Sequence, residues 1–449
     1  MLPAGRPLQE GRRQADGRGR SIRFRSTLGG QLMNRLSLVA LAAASLMLTT
    51  SAHATDLEVI HWWTSPGETA AVHTFRDAFN NDGAGDKWVD DAIADGDTAR
   101  STDMTRIQGG DPPGASQFNP GREYEELIKN NLLLDLTDLA TAGNWEKVIR
   151  PHEVSEGCLV DGHWWCVPVN IHSWNWAWYS KAAFKAAGLP DPHNFQDFLA
   201  DAPKLKAAGI IPFAVGGDGG GWQIVGAFNL IMVEELGHAD RDKVLHDKDI
   251  DIAGGAKFKQ LLTDFKSLRQ YADDGYANRN WNDTWKLVDS GKAALQIMGD
   301  WERGEFAAKG EVGDKDYGCI AGFDDAHPTA STSGDVFVFP KQTDPDKEAA
   351  QKRLANLLIS PAVQLAFNNA KGSSPVRSDV DMGAADPCLQ KALDIFNNHP
   401  DEVVTDVSRW LSNDTTNQMN DLFTKFFNDA SYTVDQAQAD YVNILKNAN

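Results

Sequence analysis

Basic side chains are scarce in this 449-residue chain: 43 Lys and Arg stand against 63 Asp and Glu, a formal net charge of −20. The shortage deepens without residues 1–54, which hold eight Arg and only two acids; 43 and 63 then become 35 and 61, a net charge of −26. Such a balance excludes nucleic acid as a partner, because phosphates demand Lys and Arg. It argues equally against anionic membranes and strongly anionic ligands, and it suits a freely diffusing protein. Long apolar runs are missing too. The one candidate, Leu36–Leu48, falls short of the roughly 20 residues that a membrane-spanning helix needs. Catalytic signatures are absent: there is no GxSxG and no HExxH, and the glycine-rich run 216–221 lacks the Lys-Ser/Thr ending of a phosphate loop. That run is expected as a loop near a ligand. Cysteine is limited to four residues, whose spacings match no common zinc pattern and have one other strong ligand, His163, close by. No metal and no cofactor is expected, and no repeat or low-complexity block interrupts the chain.

What is present begins with an export signal. Asn34 and Arg35 give a short positive start after Met33, the apolar run follows, and Ala52-His53-Ala54 supplies the small-x-small cleavage pattern. The mature chain is therefore expected to start near Thr55 and to leave the cytoplasm. Residues before Met33 carry no core pattern and read as an upstream extension from an earlier start codon. No Cys follows the apolar run, so a lipobox-type anchor is not expected. The remaining 395 residues exceed the roughly 250–300 at which single cores split, so two lobes are expected. All four cysteines lie in the exported part, where oxidation is favoured, and four cysteines allow three pairings. Cys158–Cys166 is favoured because Asp161-Gly162 is a turn signal midway between them. A three-residue loop through His163 would set these two cysteines opposite each other, whereas a two-residue loop would misalign them by one. Cys319–Cys388 then follows by elimination.

Leu57–Trp62 alternates as a strand does, and Gly67 opens a helix with Ala71, Phe75 and Phe79 at helical spacing. Further strands are expected at Val167–Ile171, Trp176–Tyr179, Ile210–Val215, Ala293–Met298, Tyr317–Ala321 and Asp335–Pro340. Helices are expected at Arg122–Leu134, Phe195–Ala208, Gly226–Leu236, Phe258–Tyr271 and Lys347–Ile359, and Leu389–Leu445 is mostly helical in pattern. Strands alternating with helices of this length predict an α/β protein with mostly parallel sheets.

Tryptophan is abundant, at fourteen residues. Trp62, Trp63, Trp222, Trp281, Trp285 and Trp301 fall in loops or at strand ends, away from core spacing. An indole face is a flat apolar platform for the C–H face of a pyranose, while polar neighbours take the hydroxyls. Trp145, Trp164, Trp165, Trp174, Trp176 and Trp178 are assigned to packing.

Five segments follow one another along the mature chain: Glu58–Trp63, Gly109–Pro113, Val167–His172, Gly291–Ala294 with Met298–Trp301, and Lys371–Arg377. Together they resemble the sugar-binding proteins of bacterial ABC importers (extracellular solute-binding protein family 1), most closely the glucose/mannose-binding branch. The resemblance implies a type II periplasmic-binding-protein fold: two α/β lobes joined by three crossovers that close on a ligand in the cleft. It implies lobe 1 as residues 55–170 and 323–372 and lobe 2 as 171–322 and 373–449, with crossovers near 170–174, 320–323 and 372–376. Residue by residue, it makes Trp63, with Trp62 beside it, the stacking aromatic of the first lobe. Glu68 becomes a hydroxyl acceptor, Gln117 a hydroxyl-binding amide, Trp281 the opposing aromatic, Asp300 an acceptor and Lys371 a donor. Asn119 stands where close relatives place Lys or His. The branch's carboxyl-terminal Ser-x-x-His-Gly is replaced by Val407–Ser412, with Arg409 or Trp410 to fill the place. Successive strand residues face opposite ways, so Trp63 is expected to face the cleft and Trp62 away. The implied ligand is a monosaccharide such as glucose or a short glucoside, and the implied partner is a membrane permease. The protein is expected to act as a periplasmic monomer that makes and breaks no bond; a secreted carboxylate-pair glycosidase is the alternative.

Overall fold

The computed structural model describes residues 54–448; the export signal and upstream extension expected before Ala54 lie outside them. In chain order the principal strands are β1 (Asp56–His61), β2 (Lys87–Ala92), β3 (Ala115–Phe118), β4 (Cys166–Pro168), β5 (Trp176–Tyr179), β6 (Ile211–Ala214), β7 (Ala293–Met298), β8 (Gly318–Ala321) and β9 (Val336–Val338). The helices that matter for the site are α1 (Pro66–Asn80), α2 (Gly96–Gly109), α3 (Trp222–Leu236), α4 (Trp281–Asp289), α5 (Glu302–Ala308), α6 (Pro361–Lys371) and α7 (Asn413–Asn428). No helix among the described residues is long and apolar enough to cross a membrane.

Two sheets organise the chain. The first runs β2-β1-β3-β9-β4, the second β8-β5-β7-β6. In the first, β1 is parallel to β2 and β3, while β9 is antiparallel to both β3 and β4. In the second, only β6 and β7 are parallel; β5 is antiparallel to β7 and β8. The expectation of mostly parallel sheets is thus corrected to mixed ones. Parallel neighbours come from local β-α-β units, and the antiparallel neighbours include strands such as β9 that return from the other sheet.

Each sheet has its own core. Val59, Trp63, Phe75, Phe118, Phe337, Leu354 and Phe367 belong to one apolar cluster, and Phe184, Phe213, Phe228, Phe265, Leu295 and Phe423 to another. Phe323 belongs with the second, against Phe195 and Phe198. The next strand of the first sheet is β9. Ile171 pairs with Ser374 and His172 with Ser333, so the three connections between the sheets lie side by side.

Several helices begin where local chemistry dictates. Ser65 caps α1 through a capping box with Glu68, satisfying two of the first turn's orphan N–H groups. The expected helix over Arg122–Leu134 shrinks to Glu125–Lys129. Both disulfides are formed. Cys319–Cys388 ties β8 to the helix Pro387–Asn398. At the other, Leu159–Val160 pairs with His163–Trp164 through the two-residue loop Asp161-Gly162, with φ of 53° and 80°, in the left-handed region that a tight primed turn uses. Of the two loops weighed from sequence this is the two-residue one, and Trp165 stands opposite Cys158, donating to its carbonyl at 3.0 Å. The one-residue offset is absorbed where the chain leaves the hairpin for β4, which brings the two Cα atoms to 5.1 Å.

Candidate functional site

A cavity of about 1070 Å³ is lined by residues that follow the ends of β1 and β2, by the connections between the sheets, and by α2, α3, α4 and α7. Of the eight ligand-contacting residues expected from sequence, six line it: Trp62, Trp63, Glu68, Asn119, Trp281 and Lys371. Gln117 and Asp300 do not.

Trp63 is 1% exposed, its ring packed on Phe337 and Phe367 at centroid distances of 5.8 and 5.2 Å. It belongs to the core beneath the site. Trp62 is half-buried, with the Arg100 guanidinium 5.2 Å from its ring centroid. Both indoles line the cavity, Trp62 with more of its surface exposed than Trp63. Alternation does separate the two rings, but the sheet buries the Trp63 side.

Glu68 serves the helix cap and the cavity at once. Its Oε2 accepts from the N–H groups of Thr64 and Ser65, each at 3.3 Å, and its Oε1 accepts from Lys371 Nζ at 3.2 Å. Lys371 ends α6, is 2% exposed, and holds its ammonium 5.8 Å from the ring centroids of both Trp63 and Trp301. Glu68 is its sole hydrogen-bond partner among the described residues, and an ammonium carries three donors. Asn119 is fixed by Glu123, to which it gives both its backbone N–H and its amide N–H, at 3.0 and 2.9 Å.

Asp300 is displaced from its expected role by a residue not singled out from sequence. His172, 4% exposed on the cavity wall, has Nδ1 2.5 Å from Asp300 Oδ1 and Nε2 2.9 Å from Asp335 Oδ2. A carboxylate lies at each ring nitrogen, with the Asn170 amide nitrogen also 3.0 Å from Nε2, and the two carboxylates favour the imidazolium. Burial alone would lower the His172 pKa, but the charges of Asp300 and Asp335 outweigh burial and the opposing Lys371, and hold it above its ordinary value. Burial likewise pushes Asp335 up, and His172, Lys371 and Asn170 together reverse it. The second oxygen of Asp300 takes the Ser173 N–H at 3.0 Å, and the side chain is 2% exposed. Gln117 is spent similarly: it accepts from Trp62 N–H at 3.0 Å and donates to Asp335 Oδ1 at 2.7 Å. Both therefore position the wall from behind.

Four indoles form one end of the cavity. Trp301 lies 4.8 Å from Trp174, 6.2 Å from Trp222 and 6.5 Å from Trp281, and Trp174 lies 5.6 Å from Trp222, mostly edge to face. Trp174, assigned to packing from sequence, is a wall residue, oriented by Ser333 Oγ accepting from its Nε1 at 2.9 Å. Trp285 is instead a core residue against Phe306. Neither Arg409 nor Trp410 reaches the cavity. Arg409 donates to Glu156 at 3.2 Å, while Ser408 Oγ donates to the Pro120 carbonyl at 3.0 Å, so this segment joins the two halves at the cleft's edge. Trp410 packs on His246 and Arg241. Asp218, inside the glycine run, does line the cavity. His172 was within reach of the sequence, at the end of the quoted Val167–His172 segment. Trp174 lay two residues further on.

Known proteins share this architecture. The chitin oligosaccharide binding protein superposes with a TM-score of 0.73 at 15% identity, covering 88% of this chain and 99% of that one. The bacterial solute receptor AcbH gives the same score at 17% identity and the same coverage. The expected type II two-lobe α/β fold is the one observed. A "Probable sugar-binding periplasmic protein" of Brucella suis biovar 1 is 35% identical over 356 residues, 79% of this chain and 82% of that one. Residues 64–365 match the model of the bacterial extracellular solute-binding proteins, and the chain belongs to that family.

Proposed function

We propose that this protein captures a neutral sugar outside the cytoplasm and delivers it to the membrane permease of an ABC importer. The carrying observation is the cleft end where Trp174, Trp222, Trp281 and Trp301 surround a space edged by the Lys371–Glu68 pair. Indole faces suit the C–H face of a pyranose, and the remaining Lys371 donors suit hydroxyls. The Lys371, Glu68, His172, Asp300 and Asp335 charges on this wall each have an opposite charge beside them, so a neutral ligand is not needed to supply one. The name carried by the Brucella relative supports both the sugar and the periplasm. Glucose or a related monosaccharide is the starting candidate, with Trp62, Asn119, Trp281, Glu68 and Lys371 as direct contacts and Trp63, Gln117 and Asp300 as supports.

The two lobes follow the two sheets, with crossovers near 170–174, 331–335 and 372–376. Their closure about this hinge traps the ligand, and Arg409–Glu156 and Ser408–Pro120 latch the edge. The protein acts as a monomer and changes no bond. A glycosidase would need a carboxyl held protonated beside the scissile bond, whereas Asp335, on this wall, is driven the other way. Calorimetric titration of the mature protein, freed of sugar by unfolding and refolding, tests the proposal against glucose, mannose, galactose, xylose and short glucosides. One-to-one binding that is lost in Trp281→Ala is expected; no heat with any of them overturns it.

A further inference from the structure

The indoles occupy only one end of the cavity. The lining also includes Arg100, which is ion-paired to Asp97 and lies 3.6 Å from Glu123, and residues of α7. There Asn413, Thr416, Asn417 and Asn420 recur at intervals of three, one and three residues, so they share one stripe of the helix, and all four line the cavity. Asn229 of α3 faces the same space. The core-facing side of α7 carries Thr415, Leu422, Phe423 and Phe426, and its remaining outer positions include Asp414, Asp421 and Lys425. Charged residues thus mark the ordinary solvent face of this helix, and the cleft stripe departs from it by being uniformly neutral. None of the Asn229, Asn413, Asn417 and Asn420 side chains has a hydrogen-bond partner among the described residues. An amide offers two donors and an acceptor with no net charge, which matches a hydroxyl's need for both. The cavity, about 1070 Å³, lies at the top of the usual range of about 300–1,000 Å³ for small-molecule sites, and part of it reaches the apolar side chains Phe228, Met419, Phe423 and Tyr441.

We infer that the α7 stripe is a second sugar subsite, so that the ligand is an oligosaccharide with one ring among the indoles and the next along Asn417 and Asn420. This rests on the sugar reading above. The mature protein is applied to an array of neutral mono- to tetrasaccharides. The best binder and its component monosaccharide are then titrated into wild type and into Asn417→Ala/Asn420→Ala. Wild type is expected to prefer the oligosaccharide at least tenfold. The double variant should lose about tenfold or more for the oligosaccharide, two neutral hydrogen bonds' worth, and stay within about twofold for the monosaccharide. Asn229→Ala/Asn413→Ala serves as the second pair if the first does not fold. Equal wild-type affinity for both ligands, or an unmoved oligosaccharide affinity in a folded double variant, overturns the subsite and leaves the sugar reading standing. An array with no binder overturns both.

Discussion

Replacing His172 with Gln removes a buried cation that two carboxylates share. Asp300 and Asp335 are 2% and 3% exposed, and His172 is 4% exposed. Asn170, Gln117 and the Ser173 N–H still donate to the pair, and Lys371 remains as the nearby charge. Removing one partner of a buried ion pair costs about 3–5 kcal/mol, and the amide recovers part of that through one donor. A loss of about 3 kcal/mol is expected in denaturant unfolding at pH 6. The pH dependence carries more information than the size. The folded His172 pKa is raised, so its contribution is full below the ordinary 6.5 and is lost as pH rises through the folded value. The Asp335 pKa is lowered, so its contribution is full above the ordinary 3.8 and is lost as pH falls through the folded value. In the variant Asp335 loses the cation that lowers its pKa and gains by taking up a proton, so acid relieves the variant. The wild-type advantage should peak near pH 6 and shrink on both sides. A difference below about 1 kcal/mol at pH 6, or one that stays flat from pH 4.5 to 8.5, refutes the imidazolium clamp.

Other expectations follow from the same structure. Glu302 is fully buried with neither carboxyl oxygen hydrogen-bonded, and burial first, then Glu305, raise its pKa well above 4.5; holding it protonated costs about 1.4 kcal/mol per pH unit above that value. Glu302→Gln should therefore stabilise the protein increasingly from pH 5 to 7, and a gain independent of pH contradicts this. The disulfides close segments of 69 and 8 residues, so chain entropy gives about 4 kcal/mol for Cys319–Cys388 and about 2.5 for Cys158–Cys166. Paired Ser variants compared by denaturant midpoints should lose stability in that order, and the reverse order rules out the entropic account. Lys371→Met removes a charge-assisted donor worth about 1.5–3 kcal/mol; sugar affinity measured by calorimetry should fall roughly tenfold or more, and an unchanged affinity removes Lys371 from the site.

Much of the fold was legible because its signals are local. The strand Ala293–Met298 was placed to the residue, since six buried positions beside a Ser-Gly turn admit little else. The helix α1 was expected from Gly67, within a residue of its start at Pro66, and the cysteine pairing followed from one turn and elimination. The scarcity of basic residues and the abundance of Trp narrowed the ligand class without any fold, because charge and aromatic surface are counted before they are arranged. What tertiary structure alone decided is which side chains face the cleft. Trp62 and Trp63 alternate whatever the fold, but both faces of β1's sheet are covered, and only the packing of Phe337 and Phe367 made Trp63 the core side. Asp300 could be read as a wall residue until His172, 128 positions away, came to stand in front of it. The asparagine stripe of α7 borders the cavity because residues of α3 line the same space. Contacts between residues this distant are set by how two sheets exchange strands, and a pattern with a period of two or 3.6 residues carries no information about that exchange.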